Sequence, residues 1–267
     1  EDDNEGRLGS AGQGHGHHAT RRSWAVQRKV RRWFGGCFTI ILIIVKKLVI
    51  AIDGPSGAGK GTLSRTVAER LGYRHVDTGA MYRAVAWKAL AEAVPLDDDA
   101  QMAALAERAV YAQAAGTITI DGHDVTRAIR TPEMDKAAAT VARLPRVREV
   151  LVAQQRAMGA AGGVVMEGRD IGTVVFPSAD LKIYIDASAE ERARRRAADA
   201  AHTGSQAPIS NVQRDMAARD KSDTTRTVAP LTKAEDAVYI DTTTMPIEAV
   251  AHHVLMLIFE KLHPEPV

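Results

Sequence analysis

The sequence predicts an α/β protein in which helices cover both faces of a parallel sheet. Three observations support this fold. Short apolar runs typical of buried strands alternate with longer segments whose apolar residues recur every three or four positions. A glycine-rich loop, 54–62, lies between one such run and a helical segment. The 267 residues are 45% apolar, which is enough for one substantial core, or for a core and a small lobe.

The first 46 residues differ in composition from the rest. Residues 1–20 are rich in Gly, His, Asp and Glu without a hydrophobic period, and we expect them to be disordered. His15, His17 and His18 lie in this tail, where no fixed geometry favours a metal site over solvated side chains. We therefore assign residues 1–46 to a disordered or non-native extension and residues 47–267 to the functional domain.

The apolar run 33–45 follows a basic stretch and allows three interpretations. A membrane-spanning helix needs about 20 apolar residues, and this run meets Lys46 and Lys47 too soon. A signal peptide would need a small-residue cleavage site, and none precedes the next strand. We favour a third interpretation, in which translation starts at Val45 and residues 1–44 are an over-extended gene prediction.

Charge and cysteine content restrict the class of partner. Residues 1–47 carry a net charge of +5 and residues 48–267 a net charge of −3, so the domain gives no electrostatic reason to expect nucleic acid. Cys37 is the only cysteine, which excludes an internal disulfide and fits a reducing, cytoplasmic compartment.

The loop 54–62 has the G-x-x-x-x-G-K pattern of a phosphate-binding loop. Glycines let successive N–H groups face a polyphosphate, the helix N-terminus adds a positive end, and Lys60 adds a charge. A glycine-rich turn that binds nothing is the alternative, and the strand–loop–helix context argues against it. Gly61 follows the lysine where many ATPases have a magnesium-binding Ser or Thr, and Thr62 comes one later. Gly-Lys-Gly-Thr resembles the nucleoside monophosphate kinases, in which phosphates and water can hold most of the Mg²⁺ coordination.

The segments after the loop follow the same alternation as far as residue 158. Residues 73–77 form a predicted strand, and a helix follows to about residue 93. Asp121 and Gly122 lie between two short alternating runs and predict a hairpin in a small inserted lobe, roughly 77–160. Further helices are predicted within 95–115, over 130–144 and over 145–158.

The second half supplies charged residues at the edge where open α/β sheets bind ligands. Arg169 and Asp170 come directly after the predicted strand 163–167. Ser188 is the predicted cap of an arginine-rich helix, whose arginines are either a solvated face or a phosphate-binding set. The remaining predicted elements are the strands 181–186 and 237–241, the helices 211–219 and 246–262, and a loop over 200–207 in a short lid, roughly 192–210.

From residue 48 to residue 262 the chain resembles the bacterial cytidylate kinases. The resemblance rests on the loop motif, on Asp77-Thr78-Gly79-Ala80-Met81-Tyr82-Arg83, on Gly168-Arg169-Asp170-Ile171-Gly172-Thr173-Val174-Val175-Phe176-Pro177, and on the Arg219, Asp223 and Arg226 spacing. It implies the P-loop NTPase fold and transfer of the γ-phosphoryl group of ATP to CMP or dCMP by a cytoplasmic monomer, with Mg²⁺ held mainly by phosphates and water and no metal held by protein ligands alone. The charge of the domain and the short apolar run give no reason to expect a nucleic-acid or membrane partner.

The resemblance also assigns roles to individual residues. ATP would bind Gly54, Pro55, Ser56, Gly57, Ala58, Gly59, Lys60, Gly61 and Thr62. CMP would bind Thr78, Arg83, Arg148, Arg169, Asp170, Arg219, Asp223 and Arg226, and the catalytic set would be Lys60, Arg169, Arg192, Arg195 and Arg196. Ala139 departs from the family pattern, because some relatives have a base-binding serine there; either one hydrogen bond is lost or Thr140 compensates.

Three alternatives remain open. A kinase of the same fold could use AMP, UMP or shikimate as acceptor. A regulatory nucleotide switch could bind without an acceptor, although a GTPase would need Asn-Lys-x-Asp and neither Asn4 nor Asn211 is followed by Lys. A membrane-tethered protein could use the basic, apolar tail.

Overall fold

The computed structural model describes residues 26–34, 37–44, 47–114, 116–199 and 208–263. The chain divides into two compact units, Glu1–Ile44 and Val45–Val267. In the first unit, β1 (Val26–Phe34) pairs antiparallel with β2 (Cys37–Ile44), a pairing that the sequence patterns did not predict. Residues 1–20, which the sequence predicts to be disordered, lie outside the described residues, as do the histidines among them.

The second unit is built on a sheet of five parallel strands. The strands are β3 (Val49–Asp53), β4 (Arg74–Asp77), β8 (Val164–Gly168), β9 (Leu181–Asp186) and β10 (Val238–Asp241). Their order across the sheet is β10-β9-β3-β8-β4. The parallel α/β sheet predicted from the sequence is therefore confirmed.

The alternation of side chains along β3 divides the core into two clusters. Ile50 and Ile52 pack with Leu63 and other apolar residues of α1 (Lys60–Leu71) and α8 (Ile247–Leu262). Ala51 lies in the other cluster, which includes apolar residues of four helices: α2 (Thr78–Ala91), α3 (Asp99–Arg108), α4 (Pro132–Val141) and α5 (Pro145–Gly159). Side chains two residues apart share one face of a strand, so helices cover both faces of this sheet.

A small antiparallel sheet forms within the predicted insert. β6 (Thr117–Ile120) and β7 (His123–Asp124) flank the predicted Asp121–Gly122 turn, and Asp121 and Gly122 both have positive φ, at 49° and 80°. The strand β5 (Tyr111–Ala114) pairs with β6 and was not predicted. The hairpin prediction is therefore confirmed, and the sheet has one more strand than expected.

The arginine-rich helix and the helix after it follow β9 in the sequence. Ser188 accepts a hydrogen bond from the N–H of Glu191 and caps α6 (Ala189–Ala198), as predicted. A single π-helical turn, Ile171–Val175, follows β8. The helix α7 (Ile209–Thr225) is longer than predicted, and residues 200–207 of the predicted lid lie outside the described residues. Of the described helices, none combines the length and the apolar character needed to cross a membrane.

Candidate functional site

A cavity of about 720 Å³ opens at the carboxyl ends of β4, β8 and β9, beside the loop that follows β3. Parallel strands point their carboxyl ends to the same edge, which is where open α/β sheets bind ligands. The cavity is lined by the loop before α1, the start of α2, part of α4, the residues after β8, and parts of α6 and α7. These elements come from nearly the whole length of the second unit, so the fold gathers residues that are far apart in sequence.

The phosphate-binding loop forms one wall of the cavity. Residues 56–62 line it, whereas Gly54 and Pro55 lie behind them. Gly54 has φ +149°, and a Cβ added there would lie 2.0 Å from the carbonyl oxygen of Ile185, so only glycine fits. Lys60 donates a 2.6 Å hydrogen bond from Nζ to the carbonyl oxygen of Pro55. Burial and the nearby charges of Arg169 and Arg219 lower the pKa of Lys60 well below its usual value.

Asp53 holds this wall against the segment after β8. Its Oδ1 accepts from the N–H of Ile171 at 2.8 Å and its Oδ2 from the N–H of Gly172 at 2.7 Å. Burial raises the pKa of Asp53 to about 6, although the two backbone hydrogen bonds act in the opposite direction. The residue directly before the loop therefore fixes the position of the Arg169–Asp170 segment, a role that the sequence alone did not reveal.

Glu167 lines the cavity, although the sequence analysis did not single it out. It is the residue before Gly168 in β8, and its side chain is 8% exposed. A Cβ added at Gly61 would lie 3.4 Å from its Oε1, so the carboxylate lies beside the start of α1. His75 Nε2 lies 2.8 Å from the same oxygen. The position of Glu167 at the end of a central strand was the signal that could have identified it.

The start of α2 provides the next wall. Asp77 caps this helix by accepting from the N–H of Ala80 and also accepts from Arg83 at 3.1 Å. Burial acts to raise the pKa of Asp77, but the charge of Arg83, the hydrogen bond from the N–H of Ala80 and other nearby positive charges together outweigh burial and lower it. Thr78 donates from Oγ1 to the carbonyl oxygen of Glu167 at 2.7 Å. The Nε of Arg83 is buried and has no hydrogen-bond partner among the described residues.

Two further arginines of the cavity are held by carboxylates. Arg169 donates from Nε to Asp223 at 2.8 Å, and Arg219 donates from NH1 to Asp135 at 2.8 Å. Burial acts to raise the pKa of Asp223, but the charges of Arg169, Arg219 and Arg226 and the hydrogen bond from Arg169 together outweigh burial and lower it. Burial lowers the pKa of Arg219, whose Nε has no hydrogen-bond partner within the described part of the chain.

Asp170 is the centre of a buried group of charges beside the cavity. Arg148 donates to its Oδ2, and Arg226 donates to its Oδ1 at 3.2 Å. Burial and the charge of Arg148 lower the pKa of Arg226. Asp170 lines the cavity, whereas Arg148 and Arg226 lie behind it. The three residues predicted to contact CMP from this region are therefore in contact with one another.

The α6 arginines bind the loop and neighbouring helices. Arg195 lines the cavity and donates to the carbonyl oxygen of Ala58 at 3.3 Å; Arg196 lines it and pairs with Asp135. Arg192 donates to the carbonyl oxygen of Ser56 at 3.1 Å and to Asp220, and it is not among the described residues that line the cavity. Arg192 therefore supports the loop from behind in this structure, a position that the prediction of a catalytic role did not anticipate.

The family model "Cytidylate kinase" matches residues 50–260. The chain belongs to the cytidylate kinase family. A cytidylate kinase from Desulfitobacterium hafniense (strain Y51) is 48% identical over 81% of this chain and 95% of its own length. One from Solibacter usitatus (strain Ellin6076) is 48% identical over 80% of this chain and 93% of its own length. A shikimate kinase from Acinetobacter baumannii in complex with shikimate aligns with 80% of this chain and 94% of its own, with 18% identity and a TM-score of 0.43.

Ala139, where some relatives are expected to have a serine, lies in the cavity wall. Ala139 lines the cavity beside Ala138 and Ala142. The Oγ1 of Thr140 donates to the carbonyl oxygen of Lys136 at 3.3 Å, and Thr140 is exposed. The Thr140 hydroxyl therefore bonds within its own helix here and does not replace a serine at position 139.

Proposed function

We propose that this protein transfers the γ-phosphoryl group of ATP to CMP or dCMP, giving ADP and CDP or dCDP. One observation carries the proposal: the lysine loop and the acceptor-side charges, Arg83, Arg169 and Asp170, line a single cavity. Membership of the cytidylate kinase family supports the reaction and ATP as its phosphoryl donor.

ATP binds at the loop end of the cavity in this proposal. The backbone N–H groups of the loop and the N-terminus of α1 surround the β- and γ-phosphates, and Lys60 leaves the Pro55 carbonyl to contact them. Burial and the charges of Arg169 and Arg219 lower the pKa of Lys60, and the negative charge of a polyphosphate would act in the opposite direction. ATP binding and protonation of Lys60 therefore favour each other. The full loop set is Gly54, Pro55, Ser56, Gly57, Ala58, Gly59, Lys60, Gly61 and Thr62.

The donor set around the loop fits a magnesium ion held mainly by phosphates and water. No group of three or more His, Cys, Asp or Glu that could hold a metal occurs in the described ranges. The single carboxylate of Glu167, beside Gly61, fits a cation that keeps several waters. When bound, Mg²⁺ would neutralise phosphate charge; Glu167 and the hydroxyl of Thr62 are the protein groups placed to orient its waters.

In this proposal the acceptor phosphate binds Arg83 and Arg169 in the cavity wall, together with Arg226, which does not line the cavity in this structure and would have to turn from Asp170 toward the phosphate. Three cations at this point reduce the repulsion between the acceptor phosphate and ATP. The buried Nε of Arg83 has no partner in the described residues, and a phosphate oxygen would satisfy it. Arg219, whose buried Nε likewise has no partner in the described part of the chain, would contact the sugar together with Asp223. Thr78 would place its hydroxyl near the acceptor.

Asp170 and Arg148 read the cytosine edge in this proposal. The carboxylate would accept from the exocyclic amino group, whereas uracil would place a carbonyl oxygen against it. Because Asp170 already accepts from two arginines, the base has to share or replace one of these contacts. Leaving a buried polar group unpaired costs about 1–3 kcal/mol, which is the basis for rejecting UMP.

The acceptor phosphate oxygen is already a nucleophile, so the reaction needs no general base. The chain contributes positioning and charge neutralisation by Lys60, Arg169 and the α6 arginines Arg195 and Arg196, with Arg192 supporting the loop. We also infer a cytoplasmic location, because Cys37 is the only cysteine and the reaction depends on ATP. The monomeric state is inferred from the family resemblance alone.

An ADP-release assay with CMP, dCMP, UMP, AMP and shikimate tests the proposal. We expect CMP and dCMP to be the best acceptors. Asp170→Asn, which keeps the shape of the side chain but adds an N–H donor, should lower kcat/KM for CMP about 10- to 100-fold while changing the KM for ATP much less. Equal use of UMP and CMP by the unmodified protein would refute the base-reading role. ADP release with shikimate alone would refute the reaction.

A further inference from the structure

Asp135 joins three helices at the edge of the cavity. It lies in the first turn of α4, and its side chain is 15% exposed. Its Oδ1 accepts from Arg219 of α7 at 2.8 Å, and its Oδ2 accepts from Arg196 of α6. Both arginines line the cavity. One carboxylate therefore fixes two cationic side chains that face the substrates.

The partner on α6 belongs to the ATP end of the site. The same helix donates from Arg192 to the carbonyl oxygen of Ser56 and from Arg195 to that of Ala58. Both carbonyls are in the phosphate-binding loop. These contacts connect the loop to α6, and Arg196 connects α6 to Asp135, so a shift of the loop would act on Asp135 through this helix.

The partner on α7 and the helix α4 itself belong to the acceptor end. Alanines of α4 line the cavity wall, and Met134, Ala137 and Ala138 of this helix share an apolar cluster with α2, which carries Thr78 and Arg83. Asp135 holds Arg219 through NH1 and leaves its buried Nε without a partner in the described structure. The carboxylate thus orients this guanidinium group while a donor stays available to an acceptor.

The low solvent exposure of these side chains makes the two ion pairs stronger than an ordinary pair on the surface. The side chains of Arg196 and Arg219 are 22% and 18% exposed. Charges that are partly removed from water attract one another more strongly and are screened less by salt. The two pairs join residues that are 61 and 84 positions apart, so they connect separate parts of the fold.

We propose that Asp135 is a positioning residue that couples binding of the acceptor nucleotide to binding of ATP, by holding Arg196 and Arg219 in one cluster. This inference rests on the proposed function, since it takes Arg196 to serve the ATP phosphates and Arg219 the acceptor. Asp135 itself contacts the arginines and acts on the substrates through them.

The coupling is measurable as a ratio of dissociation constants. Calorimetric titration gives the Kd for CMP in the absence and in the presence of Mg²⁺ and a non-hydrolysable ATP analogue. Coupled sites typically show ratios of about 5 to 150. We expect a ratio in this range for the unmodified protein and a ratio near 1 for Asp135→Asn. Asp135→Glu, which keeps the charge, should recover most of the coupling.

Two further variants separate positioning from a general effect on the fold. Glu133→Gln removes an exposed carboxylate from the same turn of α4 and should leave the ratio unchanged. Arg196→Gln breaks the cluster from the other helix, should also bring the ratio near 1, and allows the test if Asp135→Asn does not fold. The double variant Arg196→Gln, Asp135→Asn should show the same ratio of CMP dissociation constants as Arg196→Gln alone, because the cluster is already broken.

Failure of this inference is distinct from failure of the proposed function. If the unmodified protein phosphorylates CMP and Asp135→Asn keeps the original ratio, Asp135 does not couple the sites. Tighter CMP binding by Asp135→Asn with an unchanged ratio would show that the carboxylate competes with substrate for the arginines, which also overturns the inference. If the unmodified protein does not phosphorylate CMP, the proposed function itself is wrong.

Discussion

The guanidinium group of Arg148 and the carboxylate of Asp170 form an ion pair whose side chains are only 3% and 9% exposed. Arg226, whose side chain is 4% exposed, donates to the other carboxylate oxygen. Removing the shared carboxylate would leave two buried cations without their counter-charge. The loss of stability from such a change is much larger than the net stabilisation that the intact ion pair provides.

Asp170→Ala should therefore lower the free energy of unfolding by about 3–5 kcal/mol. Asp170→Asn should cost less, since the amide oxygen can still accept from one of the two arginines. Urea unfolding followed by circular dichroism measures both variants. The Ala variant being as stable as the Asn variant would contradict this prediction, and it would mean that water replaces the carboxylate without loss.

Gly54 and Gly72 offer a matched pair for a backbone prediction. Both have positive φ, but a Cβ at Gly54 would meet the Ile185 carbonyl oxygen at 2.0 Å, whereas a Cβ at Gly72 would meet nothing within 4 Å. Gly72→Ala should cost about 1–2 kcal/mol, the strain of a left-handed alanine. Gly54→Ala should cost at least ~3 kcal/mol, because the strand backbone of β9 cannot move aside.

Urea unfolding and titration with an ATP analogue distinguish the two glycine variants. Gly72→Ala should bind the analogue with unchanged affinity, since Gly72 ends α1 far from the loop in sequence. Gly54→Ala should lose binding together with stability. Equal stability of the two variants would contradict the steric explanation.

Local patterns predicted the elements whose signals lie in a few consecutive residues. The strand–loop–helix unit before Gly72, the Ser188 cap and the Asp121–Gly122 hairpin are of this kind, because turn chemistry and capping act over two to four residues. The strand β5 was not predicted, since Tyr-Ala-Gln-Ala has little alternation and becomes a strand by pairing with β6.

The residues of the site were easier to predict than their partners. Motif spacing pointed to Arg169, Asp170 and Arg219, which line the cavity. It gave no indication that Asp135 would hold Arg196, because contacts over long sequence separations depend on how helices pack. For the same reason α7 continues to Thr225, past the predicted end at residue 219, where its last turns bring Asp223 to Arg169.

The pKa of Asp53 gives a prediction for the pH dependence of stability. Burial raises this pKa from 3.8 to about 6 in the folded protein. As pH rises from about 4 to about 6, the unfolded chain loses this proton first, so folding becomes less favourable by up to roughly 3 kcal/mol. The stabilisation is complete below pH 4 and is lost as pH passes through 6.

Comparison with Asp53→Asn isolates this contribution from the other carboxylates. The asparagine cannot titrate, and its N–H₂ group would face the N–H of Ile171 or Gly172 without an acceptor. The difference in unfolding free energy, unmodified minus Asn variant, should decrease as pH rises from 4.5 to 7. A difference that is constant or increases over this range would show that Asp53 is ionised throughout.

Removal of the N-terminal extension should leave the reaction unchanged. The family model begins at residue 50, and the second compact unit begins at Val45, so the residues that line the cavity all lie after the extension. A variant of residues 45–267 should therefore keep kcat and both KM values within about twofold, because no cavity residue is removed.

The ADP-release assay on the full-length and the shortened chain checks this prediction. Flotation with anionic vesicles tests whether the basic extension alone confers membrane binding. A lower kcat/KM for the shortened chain would show that the extension takes part in the site, and intact-mass measurement of the native protein would identify its true start.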